Sequence, residues 1–176
     1  TYNATKGSYR YQDSDRGIDT TFGSASLDSA ASSNALAVYK ITGGDGLSYT
    51  LSLNKAGAGN TAIALSYASF GRWERAQAPG SDRLDRWFAW GIRTNGFQIP
   101  TGSGSFTGII RGTAAQFGGG ATYALSGTSN FAVNFGAGTF TGSLNPIGTS
   151  NFDGSTRNFG TFTFDRGVMD IDAGLT

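Results

Sequence analysis

Asp13-Ser14-Asp15-Arg16-Gly17-Ile18-Asp19 places carboxylates at the first, third and seventh positions of a glycine-centred loop. Such spacing can turn alternate oxygens inward around calcium, a hard cation that takes oxygen ligands. Against this, Gly17 stands at the fifth position, Arg16 brings a cation into the loop, and no bidentate glutamate follows at the twelfth. Calcium at Asp13, Asp15 and Asp19 is therefore the cofactor to weigh, against a solvated turn that needs none and has more in its favour. Asp165, Asp170 and Asp172 form a looser set with the same plain reading.

A second group could hold a partner. Trp87, Tyr9, Tyr11 and Tyr39 offer rings with a polar edge, and Arg83 and Arg86 offer planar donors; both kinds of side chain anchor interfaces. Trp87 has the opposite parity to Phe88 and Trp90, so if those two point inward Trp87 points outward. Arg72, Arg75, Asp82, Arg83, Asp85 and Arg86 flank a break at 76–82 and alternate in sign. A salt-bridged hairpin accounts for them, and a docking loop is the sharper alternative. Trp73, Trp90, Phe70 and Phe88 read first as core and second as the lining of an apolar pocket.

The chain has no histidine and no cysteine among its 176 residues. That removes Ser-His-Asp and Cys-His nucleophiles, histidine-held haem, nearly all catalytic zinc sites and every disulfide. A non-catalytic protein is the expectation. With 13 basic and 12 acidic residues the net charge is +1, and no basic stripe is concentrated enough for nucleic acid. Gly118-Gly119-Gly120 lacks the Lys and Ser/Thr context of a phosphate loop. No signal peptide stands at the front, and Thr1 reads as a processed start.

The elements that must position these residues are strands. Glycine is 28 of 176 residues and charged residues are 14%, against roughly 25% in an average soluble domain. Glycine at this density disfavours helices and suits short strands with tight turns. Ala37, Tyr39 and Ile41, then Leu47, Tyr49, Leu51 and Leu53, alternate on either side of Gly43-Gly44-Asp45-Gly46, which predicts a hairpin over 36–54. A strand is expected around 7–12, a long one from 61 to 73, another over 87–93, and then 104–116, 121–127, 130–135, 139–144 and 159–164.

The order of four pieces resembles the C-terminal barrel of the transferrin-binding protein B family of bacterial surface lipoproteins. They are Phe70-Gly71-Arg72-Trp73, Gly91-Ile92-Arg93-Thr94, the Pro100-to-Gly108 stretch, and the run from Phe135 through Gly138-Thr139-Phe140-Thr141-Gly142-Ser143 to Leu144. The resemblance covers about Leu65 to Asp165. It implies a cell-surface location on a diderm bacterium, with an outer-membrane transporter as one potential partner. It carries over no binding residue, because its glycines and proline are turn and close-approach positions. The family's closing strand has no counterpart near Gly174-Leu175-Thr176, which leaves truncation, self-closure and a strand from a neighbouring chain as readings.

Taken together, the expected fold is all-β: an antiparallel up-and-down β-barrel of about eight strands over 61–176, preceded by a polar arm and hairpin at 1–60. The expected function is a cell-surface or secreted binding module that captures a protein or small solute through loops and exposed aromatics. The alternative is a structural subunit of an extracellular assembly, a homo-oligomer joined by strand exchange with residues near Gly7–Gln12 as donor.

Overall fold

Alternation in the sequence becomes twelve strands and two short 3-10 turns in the computed structural model, which describes residues 1–3, 5–66, 68–76, 84–91, 101–116 and 121–169. No α-helix occurs among the described residues, and every strand pairing is antiparallel. The chain divides into two compact units, Thr1–Ile92 and Arg93–Thr176.

The first unit holds two sheets. One has the order β1 (Tyr2–Asn3), β2 (Ser8–Asp13), β3 (Ile18–Phe22). The other runs β4 (Leu36–Thr42), β5 (Ser48–Asn54), β6 (Ala68–Arg75), β7 (Leu84–Gly91). The boundary expected at residue 60 falls between β5 and β6, which pair from Tyr49↔Arg75 to Leu53↔Gly71. Period-two alternation gives each sheet one apolar face. Ile18 and Phe22 of β3 meet Tyr49, Leu51 and Leu53 of β5, Trp73 of β6 and Leu84 of β7 in one buried cluster. Trp73 and Phe22 are fully buried. Burying a large apolar side chain contributes about 1.5–3 kcal/mol, so this cluster is the main stabilising feature of the unit.

The hairpin read from 36–54 is present as β4 and β5, with Leu36↔Asn54 and Thr42↔Ser48 as its ends. Its turn uses Gly46 at φ 75°, a conformation that side-chain-bearing residues rarely adopt. The long strand expected from 61 is shorter: β6 begins at Ala68, and 55–66 is a loop. The loop has its own organiser. Asn60, 2% exposed, donates to Asn54 Oδ1 (3.0 Å) and to the Lys55 carbonyl (2.8 Å). Its own Oδ1 accepts from the backbone N–H groups of Ala62 (3.0 Å) and Ile63 (3.2 Å).

The second unit is one sheet of β8 (Ser103–Ala115), β9 (Thr122–Asn134), β10 (Thr139–Ser150), β11 (Thr156–Asn158) and β12 (Phe162–Val168). Residues 121–127 and 130–135, expected as separate strands, are one continuous β9. Gly127 is not a break but a close approach: a Cβ there would stand 2.2 Å from the Asn145 carbonyl oxygen. One face of this sheet carries Phe106, Phe131, Phe140 and Phe164. Phe131 lies 6.0 Å from Phe140 and 6.2 Å from Phe164, centroid to centroid. Gly142 leaves room for the Phe131 ring, which would lie 2.5 Å from a Cβ at that position. The other face is mostly Ser, Thr and Asn, including Thr107, Asn130, Ser143 and Thr163, which follow one another in register, with Ile109, Arg111 and Ile147 toward the far end.

Antiparallel all-β structure is therefore present, but among the described residues no sheet closes into a barrel. β10, 12 residues long, takes both β11 and β12 along the side opposite β9. The last two strands share one edge instead of extending the meander around. Of the four pieces that carry the family resemblance, Ile92 to Thr94 and Pro100 lie outside the described residues.

Candidate functional site

In β7, side chains alternate between the two faces of its sheet, and the ladder assigns them. Leu84, Arg86, Phe88 and Trp90 pair with Arg75, Trp73, Gly71 and Ser69, while Asp85 and Trp87 pair with Glu74 and Arg72. Trp73 is core, so Arg86, Phe88 and Trp90 share the inward face and Trp87 the outward one. Phe88 sits across Gly71, where a Cβ would stand 2.8 Å from the ring's Cζ. Only glycine lets that ring approach the backbone of β6. Yet β7 ends its sheet among the described residues, and Phe88 (38%) and Trp90 (42%) keep substantial exposure.

That exposure opens into a cleft of about 640 Å³ within the first unit. Phe22, Leu51 and Leu53 supply its buried surface, and Tyr9, Tyr11, Phe88 and Trp90 its aromatic surface. Tyr2 and two arginines, Arg10 and Arg86, complete it together with Thr1. The volume is in the usual range for small-ligand sites. Among the described residues, no aspartate or glutamate lines it.

The tyrosines are held by ring contacts. Tyr11 stacks on Trp73 with centroids 3.7 Å apart and planes at 10°. Tyr9 lies 4.8 Å from Tyr2 and 5.5 Å from Tyr39. Burial raises the Tyr9 phenol above its ordinary value, with Tyr39 and Tyr2 acting in the same direction. Burial likewise raises Tyr11; Asp13 adds to the rise, and the charges of Arg86 and Arg16 oppose it. Both phenols stay neutral near pH 7 and are available as hydrogen-bond donors and acceptors.

The two arginines differ. Arg10 makes a two-pronged pair with Asp19, Nε to Oδ1 at 2.7 Å with Nη2 on Oδ2. Arg86 donates to the Asp85 carbonyl at 3.2 Å, and among the described residues no carboxylate lies within ion-pair distance of it.

Of the residues singled out in the sequence, Tyr9, Tyr11 and Arg86 meet at this cleft. Tyr39 stands behind Tyr9 and does not line it. Trp87 occupies the other face of β7, with the Arg72 guanidinium 5.5 Å over its ring. Arg72 is in turn fixed by Asp85 (2.9 and 2.7 Å) and Glu74 (2.9 Å), so the outward face is a salt-bridged patch of the plainer kind expected. Arg83 lies outside the described residues. Phe88 and Trp90 were read first as core. Their parity was legible, but their position on the last described strand of the sheet was not.

The calcium arrangement does not assemble. Asp13 pairs in register with Ile18, while Asp19 pairs with Gln12, so the two carboxylates leave opposite faces of the β2–β3 hairpin. Asp13 caps the 3-10 turn Ser14–Arg16, accepting from the Arg16 N–H, and forms an ion pair with Arg16 at 3.2 Å. Asp19 is taken by Arg10. No cluster of three potential metal-ligating side chains occurs among the described residues.

No protein-family model, no curated protein and no solved structure matches this chain.

Proposed function

We propose that this chain is a non-catalytic binding module whose first unit captures a small solute in the aromatic cleft between β2 and β7. The observation that carries this reading is the convergence of Tyr9, Tyr11, Phe88 and Trp90 on one partly open cavity of about 640 Å³. Exposed rings on adjacent elements are costly to leave in water, and a ligand that covers them recovers that cost. Display at the surface of a diderm bacterium or outside it, beside an outer-membrane transporter, belongs to the same proposal and rests on the resemblance over 65–165. So does a closed barrel of about eight strands, which the one-sided aromatic pattern of β8–β12 would suit as wall.

Strand exchange is the second reading. The segment named as donor is β2, paired on both sides by β1 and β3 and stacked through Tyr11 on Trp73. Its release would uncover the core, which weighs against donation by that segment.

The test is titration with a neutral aromatic probe, phenylnaphthylamine, followed by its fluorescence. Wild type is expected to show saturable binding. Phe88→Ala and Trp90→Ala should each weaken it about fivefold or more, as the loss of an aromatic contact predicts. Equal affinity in all three proteins would overturn the cleft as the binding site.

A further inference from the structure

Arg86 is a charged residue on the exposed part of the inward face of β7. It pairs in register with the fully buried Trp73, between Leu84 and Phe88 on the inward side of β7. Arg86 is itself exposed, so its guanidinium meets solvent and can donate to a ligand there. The neighbouring cations are already matched: Arg10 by Asp19, Arg16 by Asp13, and Arg72 by Asp85 and Glu74. Among the described residues Arg86 has one hydrogen bond, to a backbone carbonyl, so most of its five donors have no partner among them.

From this arrangement we infer that the ligand is a small amphipathic anion, with a ring-sized apolar body against Phe88 and Trp90 and one acidic head on Arg86. The inference rests on the cleft being the binding site. Three features carry it. Among the described residues the lining contains two guanidinium groups and no carboxylate, and of the two only Arg86 has no carboxylate within ion-pair distance. That balance suits a single negative charge and disfavours polyanions such as nucleoside triphosphates. The remaining surface is mostly aromatic and aliphatic, which suits an apolar body better than a sugar with hydroxyls on every side. Tyr11 lines the same cleft as Arg86 and offers its phenol as a further donor.

The experiment compares two probes that differ by one sulfonate: anilinonaphthalene sulfonate and neutral phenylnaphthylamine, each titrated into the full chain. Arg86→Gln is expected to weaken the sulfonate probe about tenfold, the loss of one charge-assisted hydrogen bond, and to leave the neutral probe within about twofold. Arg86→Lys should retain most of the sulfonate affinity. In wild type, added salt should weaken the sulfonate probe and spare the neutral one. This reading of salt dependence stands even if the glutamine variant folds poorly.

Equal response of both probes to Arg86→Gln, together with salt-independent binding, would overturn the anionic head while leaving the cleft intact. Neutral-probe binding indifferent to Phe88→Ala and Trp90→Ala would instead remove the cleft itself. Sedimentation with phosphatidylglycerol vesicles but not phosphatidylcholine ones, without binding of the dissolved sulfonate probe, would assign the anion to a lipid surface and overturn capture of a free solute.

Discussion

The phenol of Tyr11 lies flat on the indole of Trp73, centroids 3.7 Å apart and planes 10° from parallel. One ring belongs to β2 and the other to β6, so this contact joins the two sheets of the first unit. It also sets the closed end of the cleft, because Tyr11 lines it and Trp73 lies opposite Arg86 in the ladder. Tyr11→Ala should therefore lower stability by about 2–3 kcal/mol, from lost packing and stacking together. Tyr11→Phe keeps the ring and should stay close to wild type. Urea unfolding followed by tryptophan fluorescence measures both; an alanine variant as stable as the phenylalanine one would mean that the stack contributes nothing.

Asn60 organises the loop between β5 and β6 through both ends of its amide. Removing the side chain takes a partner from the buried Asn54 amide oxygen and from the part-buried backbone groups of Lys55, Ala62 and Ile63. Asn60→Ala is expected to cost about 2–4 kcal/mol, more than an average surface change, and Asn60→Asp to cost a comparable amount by losing the donors. Hydrogen exchange should show the loss concentrated in 55–66. Uniform loss over the whole unit would point to a global packing effect.

Tyr49 donates to Asp45 Oδ2 at 2.6 Å across the β4–β5 turn. The Tyr49 hydrogen bond is the main cause that holds the Asp45 carboxyl below its ordinary 3.8. Its contribution is present above that value and is lost as pH falls through the lowered one. The Tyr49 phenol is raised above 10.0, first by burial and then by Asp45, with Arg75 acting oppositely. Its contribution is present below pH 10 and is lost as pH rises through the raised value. The Tm gap between wild type and Tyr49→Phe should thus be widest between these limits and narrow at both ends. A gap independent of pH would show that the pair is not linked to stability.

Gly127 lies inside β9 at φ 150°, with no room for a Cβ against the Asn145 carbonyl. Gly127→Ala should destabilise the second unit by about 2 kcal/mol or more. Gly112→Ala is a matched control, because its Cβ would meet Leu125 at an ordinary 3.6 Å. All three tryptophans, at 73, 87 and 90, belong to the first unit. Exchange in 122–150 should therefore rise in Gly127→Ala while the tryptophan-detected transition stays in place. Movement of both would show that the units unfold together.

Much of this molecule was written locally. Alternation around Gly43–Gly46 specified the β4–β5 hairpin, and the opposite parities of Trp87 and Phe88 specified which would share a face with Trp90. The lack of histidine and cysteine removes imidazole and thiolate groups, and the nucleophiles and metal sites built on them. These features need only a period of two and the covalent inventory of the chain. Other features depend on partners far away in sequence. Gly127 reads as the end of a strand until Asn145 is seen against it, and the Asp13–Asp19 spacing leaves a cation loop as the alternative to a solvated turn until hairpin register sends the two carboxylates to opposite faces. Likewise, the Phe88–Trp90 stripe reads as core until sheet order leaves β7 last among the described strands, with the cleft beside it. Alternation determines which side chains stand together; only tertiary pairing decides what, if anything, covers them.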